Sequence, residues 1–217
     1  MVLPFVSKLI MYPPRPNTAI PPDTLSKYVG WWAQRKWNGT RNLLFVLPDG
    51  SFELWNRHKQ QHKQYKLTTS MKASIQELAS KLERGVFHVF DSELMDAKTT
   101  KLKDRIVLYD VLVHNGQYLI GTTYKQRYET LSGILGNPQE HESDTGRRLA
   151  LRFNKNLWLT EVFTDKLDER FKEALGVDEI EGLVLKDPKG KLDFGVREEN
   201  NGMWMIRVRK PHKNYAF

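Results

Sequence analysis

A lysine that could act as a nucleophile lies in the segment KWNGTR, residues 36–41. Lys36 stands three residues before a glycine and five before Arg41, and Trp31 and Trp32 precede it. An amine attacks in its neutral form, which a neighbouring guanidinium favours, and the guanidinium can also hold a phosphate. The spacing therefore indicates covalent chemistry on a phosphate compound. An exposed lysine before a strand is the alternative for a KxxG pattern taken by itself.

Two carboxylates lie close together in Asp91-Ser92-Glu93-Leu94, at the end of an apolar run. Side chains two residues apart on a strand point to the same face. Asp91 and Glu93 would then share a face that binds a ribose hydroxyl or Mg²⁺. A solvated strand end is the other interpretation of the same segment.

A lysine ends the apolar segment EGLVLK, residues 181–186. Alternation along a strand places Lys186 on the same face as Gly182 and Val184. A charge at the end of an apolar strand needs a partner. A phosphate and a carboxylate are both open as that partner.

Two arginines alternate in IRVRK, residues 206–210. Arg207 and Arg209 fall on one face of a strand, and Lys210 falls on the opposite face. Two guanidinium groups side by side bind phosphate or carboxylate groups in a fixed geometry. A solvated strand face is the alternative.

Strands and helices must position these residues. Two runs rich in apolar residues, 42–47 and 51–57, enclose a Pro-Asp-Gly turn and predict a hairpin. Further patterns predict strands at 86–95, 105–114, 117–121, 157–163, 181–187 and 204–210, and helices at 124–136 and 165–176.

A further helix is predicted over 70–84, because Met71, Ile75 and Leu78 recur at helical spacing. Ser70 is its expected cap and Gly85 its expected end. The polar stretch 137–148 is predicted as a surface loop. Proline-rich residues 1–30 are predicted as an ordered arm over the domain. Antiparallel strands with helices inserted at intervals indicate a single α+β domain over residues 1–217.

The composition fits a folded domain with a polyanionic partner. The 217 residues are 40% hydrophobic and carry a net charge of +8, which favours nucleic acid. The absence of cysteine excludes disulfides and thiolate catalysis. No apolar run is long enough to cross a bilayer, and the N-terminus does not resemble a secretory signal. An intracellular protein, in the cytoplasm, nucleoid or nucleus, is therefore expected.

His58 and His62 have the spacing of metal ligands on a helix. Lys59, Lys63 and Lys66 surround them, and no carboxylate is near in the sequence. This setting disfavours a zinc site, because zinc needs three or four well-placed ligands.

In their order and spacing, the four segments resemble the covalent nucleotidyltransferase superfamily, which comprises DNA ligases, RNA ligases and mRNA capping enzymes. KWNGTR is similar to motif I (KxDGxR), FDSEL to motif III, EGLVLK to motif IV and IRVRK to motif V. LYDVLVHNGQYL, followed by Tyr124, Arg127 and Leu131, resembles motif IIIa and the helix after it. The resemblance spans residues 31–210 and implies an antiparallel-sheet adenylation domain similar to the ATP-grasp fold.

The resemblance implies an ATP-dependent polynucleotide ligase. Lys36 would attack the α-phosphate of ATP, release pyrophosphate and carry AMP. The AMP would pass to a 5′-phosphate, and a 3′-hydroxyl would then seal the strand. Nicked or broken DNA, in repair or replication, is the first expected substrate.

The resemblance also implies a role for each site residue. Lys186 and Arg209 match positions that contact the α-phosphate, and Arg207 matches the other basic position of motif V. Glu181 is the expected carboxylate for Mg²⁺. The remaining residues are expected at the nucleoside or its phosphate: Glu93 at the ribose, Tyr109 stacked on adenine or guanine, Arg41 and Arg57 at ribose or phosphate, and Gln34 at the base edge.

Departures from the family pattern accompany these matches. Asn38 replaces the usual aspartate, Ser92 replaces the glycine of motif III, and arginines replace both lysines of motif V. The sequence ends at Phe217, soon after motif V. No OB-fold domain with motif VI is therefore expected within it, and a separate OB-fold domain or partner is a possible supplement.

Three alternatives stay open. An RNA ligase is close to the DNA ligase, because Asn38 departs from the DNA-ligase aspartate. A capping guanylyltransferase comes next, since the tail RKPHKNYAF resembles the end of motif V in those enzymes. A nucleic-acid-binding module with an inactive site is the last, with Trp31, Trp32 and Trp55 available for stacking on bases.

Overall fold

Two β-sheets with helices on their outer sides form the computed structural model, which describes residues 11–63, 65–96, 98–99, 101–138, 140–142 and 148–211. Strands β1 to β13 are Arg15–Ala19, Trp32–Trp37, Thr40–Val46, Phe52–Trp55, His88–Met95, Arg105–His114, Gln117–Tyr118, Glu140–Glu142, Arg148–Arg152, Leu157–Leu159, Val162–Phe163, Ile180–Lys186 and Asn201–Arg209. The helices are a 3-10 helix at Pro22–Lys27, then α1 (Thr69–Ser80), α2 (Tyr124–Ile134) and α3 (Leu167–Leu175).

The first sheet has the strand order β1-β13-β12-β2-β11, and the second has the order β4-β3-β5-β6-β10-β9-β8 with β7 paired to β6. Most pairs are antiparallel, whereas β1 with β13 and β10 with β6 are parallel. This arrangement confirms the α+β class. Among the described residues, no helix has the length and apolar character needed to span a membrane.

Apolar side chains fix the helices to the sheets. Helix α1 buries Met71, Ile75 and Leu78 against the second sheet. The 3-10 helix and α3 contribute Leu25 and Phe171 to a separate cluster with the first sheet. Burial of this apolar surface is the main favourable contribution to folding. The second sheet also buries Leu43, Phe45 and Val89 in a further cluster on its opposite face.

The predicted helix over 70–84 is shorter and begins earlier than expected. Thr68, not Ser70, caps it, because Thr68 Oγ1 accepts a hydrogen bond from the main-chain N of Met71 at 3.2 Å. Ser70 Oγ instead donates to Asn156 Oδ1 at 2.7 Å. The helix ends at Ser80, before the predicted end at Gly85. Neighbouring hydroxyl residues are equivalent in sequence, so tertiary contacts decide which one caps.

The predicted strand over 157–163 is two strands, β10 and β11, which belong to different sheets. The chain crosses between the sheets at Thr160, which is fully buried. Thr160 Oγ1 accepts a hydrogen bond from Trp37 Nε1 at 3.1 Å, and its carbonyl accepts one from the Tyr128 hydroxyl at 2.9 Å. These bonds satisfy the polar groups that the crossing removes from a sheet.

The ends of two other predicted segments differ from expectation. Residues 15–19 of the proline-rich arm form β1, which pairs with β13, while residues 1–10 lie outside the described residues. The stretch 137–148, expected to be a loop, contains β8 and the start of β9, and residues 139 and 143–147 are not described.

Lys36 lies within β2 instead of before a strand. The single-domain assignment over 1–217 stays a prediction.

Two glycines give a matched test of the backbone. Gly182 has φ +143°, and a Cβ there would lie 2.0 Å from the main-chain oxygen of Val208. We expect Gly182→Ala to lower the free energy of unfolding by about 2–4 kcal/mol, because strand β13 would have to move. Gly133 lies in α2 with no atom near its would-be Cβ, so Gly133→Ala should raise that free energy by about 0.5–1 kcal/mol. Urea unfolding of both variants measures the contrast, and equal effects would contradict it.

Candidate active site

A cavity of about 620 Å³ lies where the two sheets meet, lined by residues from both. The cavity is lined by all ten residues that were given a role from the family resemblance: Gln34, Lys36, Arg41, Arg57, Glu93, Tyr109, Glu181, Lys186, Arg207 and Arg209. Their individual roles stay predictions. The structure nevertheless brings together segments that are up to 175 residues apart in the chain, from 34 to 209.

Strand pairing arranges part of this set in rows. Directly opposed residues on neighbouring antiparallel strands project on the same side of a sheet. Across β2, β12 and β13 this gives two rows, Lys36 with Gly182 and Arg209, then Gln34 with Val184 and Arg207. The predicted alternation along EGLVLK and IRVRK is confirmed, because Leu183, Leu185 and Val208 point to the apolar cluster on the other side.

Glu181 reaches the cavity through an irregularity in the sheet. The register between β12 and β2 shifts by one residue between Ile180 and Gly182. An extra residue at a bulge is left unpaired and its side chain is redirected. The Glu181 carboxylate consequently contacts Lys36 Nζ, with both side chains partly exposed. The nucleophile candidate therefore has a carboxylate as its direct partner.

Arg41 is paired with Asp91. Arg41 Nε donates to Asp91 Oδ1 at 3.0 Å, Nη2 contacts the other carboxylate oxygen, and Nη2 also donates to the carbonyl of Pro14 at 2.7 Å. Asp91 is only 1% exposed, so the solvated-strand-end interpretation is wrong for it. Burial raises the pKa of Asp91, although Arg41 opposes the shift. Asp91 thus balances the charge of the Arg41 guanidinium.

Glu93 lies in the cavity among cations. Burial raises the pKa of Glu93 to about 7, although Lys36, Arg41 and Lys98 oppose the shift. Lys98 was not singled out from the sequence. Its Nζ contacts the main-chain oxygen of Gly39 and it lines the same cavity. No local pattern identifies Lys98, because only the folding of the segment after β5 brings it there.

Lys186 is buried, with 2% of its surface exposed. Its Nζ lies 4.1 Å from the ring centroid of Tyr124 and 5.3 Å from that of Tyr109. Burial lowers the pKa of Lys186 to about 8, while Asp110 and Asp91 oppose the shift. The aromatic rings are therefore its direct contacts, and the Asp110 and Asp91 carboxylates act on it electrostatically. A phosphate partner stays a prediction.

Asp110, which acts on Lys186, is held in a buried ion pair with Arg127. Arg127 Nε donates to Asp110 Oδ1 at 2.9 Å and Nη2 donates to Oδ2 at 3.1 Å. Arg127 is fully buried, and its guanidinium lies 5.1 Å from the ring centroid of Trp204. The bidentate pair fixes the Asp110 carboxylate near Lys186.

The other predicted nucleoside contacts lie at different depths of the cavity. Gln34 is 2% exposed, and Tyr109 is half-buried with the Arg41 guanidinium 5.7 Å from its ring centroid. Arg57 is exposed, and its Nε donates to His58 Nε2 at 3.2 Å. Arg15 of β1 also lines the cavity, and the sequence had not indicated it.

The departures from the family pattern have local explanations. Asn38 Nδ2 donates to a main-chain carbonyl at 3.3 Å, which an aspartate could not do. Ser92 is fully buried, donates to the carbonyl of Asn42 at 2.8 Å and accepts from its side-chain amide at 2.9 Å. The motif I glycine, Gly39, is required by close approach, since a Cβ there would lie 2.6 Å from the carbonyl oxygen of Leu94.

Two of the other sequence hypotheses lose support. Trp55 is 5% exposed and belongs to a core cluster, so its ring is not available to stack on a base. The His58 and His62 pair is not on a helix. Within the described residues no group of three or more potential metal ligands occurs, and His58 Nδ1 lies 2.6 Å from Glu198.

A comparison with protein families shows that the mRNA capping enzyme catalytic domain matches residues 24–200. The chain belongs to this family. The match confirms the resemblance to covalent nucleotidyltransferases, of which capping enzymes are one class. A search of curated proteins gives no significant sequence match.

The same fold occurs in solved DNA ligase structures. The ligase domain of M. tuberculosis LigD superposes with a TM-score of 0.58 at 17% identity, over 89% of this chain and 60% of that one. Mycobacterial DNA ligase D complexed with ATP and MES gives 0.56 at 17% identity, over 82% and 54%. A Lig E DNA ligase gives 0.50 at 16% identity, over 84% and 62%. The chain thus spans about half the length of the first ligase structures it matches.

The burial of Lys186 predicts a distinct pH dependence of stability. Its folded-state pKa of about 8 lies below the unfolded value of about 10.4. Between these values the unfolded chain binds more protons, so the free energy of unfolding should rise with pH, by up to about 1.4 kcal/mol per unit. Lys186→Met should lack this increment when urea unfolding is compared at pH 7.5, 8.5 and 9.5. Lys172→Met, at an exposed position of α3, should keep it. Parallel curves for the two variants would contradict the assignment.

Proposed function

We propose that the chain is the nucleotidyltransferase domain of an ATP-dependent polynucleotide ligase and that it carries AMP on Lys36. The contact that supports this most is Lys36 with Glu181, on a cavity wall where Arg209 lies in the same row. A nucleophilic amine, a carboxylate that can take its proton and a cation for the phosphate are what the first step requires.

The chemistry runs in three displacements. Lys36 Nζ loses a proton to Glu181 and attacks the α-phosphorus of ATP, so that an N–P bond forms while the P–O bond to pyrophosphate breaks. A 5′-phosphate oxygen of the polynucleotide then attacks the same phosphorus, and the lysine leaves and regains a proton. A 3′-hydroxyl finally attacks the activated 5′-phosphate and releases AMP. Nicked DNA is the first proposed substrate and broken RNA the second.

Cations in the cavity would offset the charge that develops on the phosphates. Lys186 and Arg209 are proposed at the α-phosphate, with Arg207 one row away. Mg²⁺ binds through one or two carboxylates together with substrate phosphates. Glu181 and Glu93 fit such a site, because both line the cavity and their charges act on each other. Glu181 would hold the ion as a carboxylate, after it has passed the Lys36 proton to solvent. The ion would supply further positive charge at the phosphates.

The nucleoside would occupy the part of the cavity between Tyr109 and Gln34. The Tyr109 ring offers a stacking face, and Glu93, Arg41 and Arg57 are proposed at the ribose and phosphate. Gln34 carries both a donor and an acceptor on its side chain. It can therefore meet either the adenine or the guanine edge, and does not by itself select one.

GTP-dependent capping is the second candidate, and the family match over residues 24–200 favours it. A guanylyltransferase would form the same bond on Lys36 and pass GMP to a 5′-diphosphate end of RNA. The two proposals therefore share the cavity chemistry. They differ in the nucleotide that loads the lysine and in the acceptor.

The first step predicts a covalent adduct. Purified protein incubated with Mg²⁺ and ATP should gain the mass of one AMP, and Lys36→Arg should gain none, because the guanidinium keeps the charge but is not a nucleophile. Lys172→Arg is the matched control and should form the adduct at the wild-type rate. Intact-mass spectrometry is the measurement. An adduct that persists in Lys36→Arg would remove the proposed nucleophile.

The choice of nucleotide follows from the same measurement with GTP in place of ATP. A gain of AMP with ATP alone supports the ligase, and a gain of GMP with GTP alone moves the assignment to the capping reaction. Failure of both nucleotides, combined with nucleic-acid binding that survives Lys36→Arg, would leave the inactive binding module as the remaining alternative.

A further inference from the structure

A second groove of about 980 Å³ opens beside the nucleotide cavity. The loop after β4 forms most of it, through Asn56, Lys59, Gln60, Gln61, His62, Lys63 and Tyr65. Thr40, Asn56 and His62 line both spaces, so the groove adjoins the cavity. Thr40 is exposed and lies only four residues after Lys36 in the chain.

The groove has the composition of a surface for a polyanion. From residue 54 to residue 76 the sequence contains no aspartate or glutamate. Lys59 and Lys63 contribute cations to the groove and the two glutamines contribute amides, whereas Asp96 is its single acidic lining residue among those described. Burial lowers the pKa of His62, so the two lysines supply the positive charge at neutral pH.

We propose that this groove binds the sugar–phosphate backbone of the acceptor polynucleotide and leads its 5′ end to Lys36. The inference rests on the proposed function, because it places the second substrate of that reaction. A strand whose 5′-phosphate lies in the cavity must continue along a neighbouring surface, and this groove adjoins the cavity at Thr40, Asn56 and His62.

The two lysines of the groove indicate recognition of the phosphate backbone. Trp55 lines the groove but is 5% exposed and packed in the core, so it offers no stacking face. The Lys59 ammonium lies 4.0 Å from the ring centroid of Tyr12, which limits its freedom, while Lys63 is exposed. Lysine contacts to phosphates release counterions and make binding depend on salt. Binding is therefore expected to show little sequence preference and a strong dependence on salt.

The test compares two double variants with the same change of charge. Lys59→Glu/Lys63→Glu alters the groove, and Lys72→Glu/Lys172→Glu alters exposed positions on α1 and α3. Binding of a fluorescein-labelled nicked DNA duplex with a 5′-phosphate, and of a 5′-phosphorylated single-stranded RNA, is followed by anisotropy at several salt concentrations. The groove variant should bind at least about ten-fold more weakly than the unaltered protein. The slope of log K against log salt concentration should become shallower by about two, because each lost phosphate contact removes about 0.9 from it. The control should stay within about two-fold of the unaltered protein.

Lysyl-AMP formation separates this inference from the proposed function. Lysyl-AMP forms without an acceptor, so the groove variant should form it as the unaltered protein does. Only the transfer of AMP to the 5′-phosphate of the acceptor should be impaired. Absence of the adduct in every variant would defeat the ligase proposal, while the anisotropy contrast would still decide the groove. Equal binding by the groove and control variants overturns the groove assignment. Whichever of DNA and RNA shows the larger contrast identifies the acceptor.

Discussion

The site depends on the balance of charge in a partly buried space. Phosphate chemistry needs several cations close together, and such cations repel one another and lose hydration when buried. The fold meets this constraint with carboxylates at defined places. Asp91 takes the Arg41 guanidinium in two contacts, and Asp110, itself held by Arg127, acts on Lys186. The carboxylates offset the charge of cations that are proposed to bind the nucleotide, which is why the acidic residues matter to the site as much as the basic ones.

A single extra residue in strand β12 allows the Glu181 carboxylate to reach Lys36. Strict alternation would turn Glu181 away from Lys36, toward the apolar side that Leu183 occupies. The register shift next to Gly182 returns the carboxylate to the cavity, and the glycine permits it because a Cβ would collide with the main chain of β13. The requirement for glycine at this position is thus a requirement of the neighbouring strand. The position of the Glu181 carboxylate therefore depends on the close packing of β13 against Gly182.

The alternating patterns in the last two strands were enough to predict which side chains share a face, because period-two alternation depends only on local geometry. The ten residues that were given roles from the order of motifs line one cavity, and those roles stay predictions. Other features depended on contacts distant in sequence. The change of sheet at Thr160 depends on hydrogen bonds from Trp37 and Tyr128, and the cap at Thr68 was chosen over Ser70 by a bond to Asn156. Lys98 has no local pattern that marks it, so only the assembled fold reveals its place.

The family match to capping enzymes and the fold likeness to DNA ligases cover largely the same part of the chain. Capping enzymes and ligases both need a lysine, a carboxylate and phosphate-binding cations, so the cavity is compatible with either reaction. Gln34 can meet adenine or guanine, and the arm residue Arg15, which lines the cavity, lies outside the matched range 24–200. The difference between the two reactions must therefore come from the surface that receives the acceptor and from the fit of the base edge. The basic loop after β4 adjoins the cavity and carries no acidic residue. Under the ligase proposal this loop would hold an extended phosphate backbone along several nucleotides, whereas a capping enzyme needs to hold only the end of its acceptor.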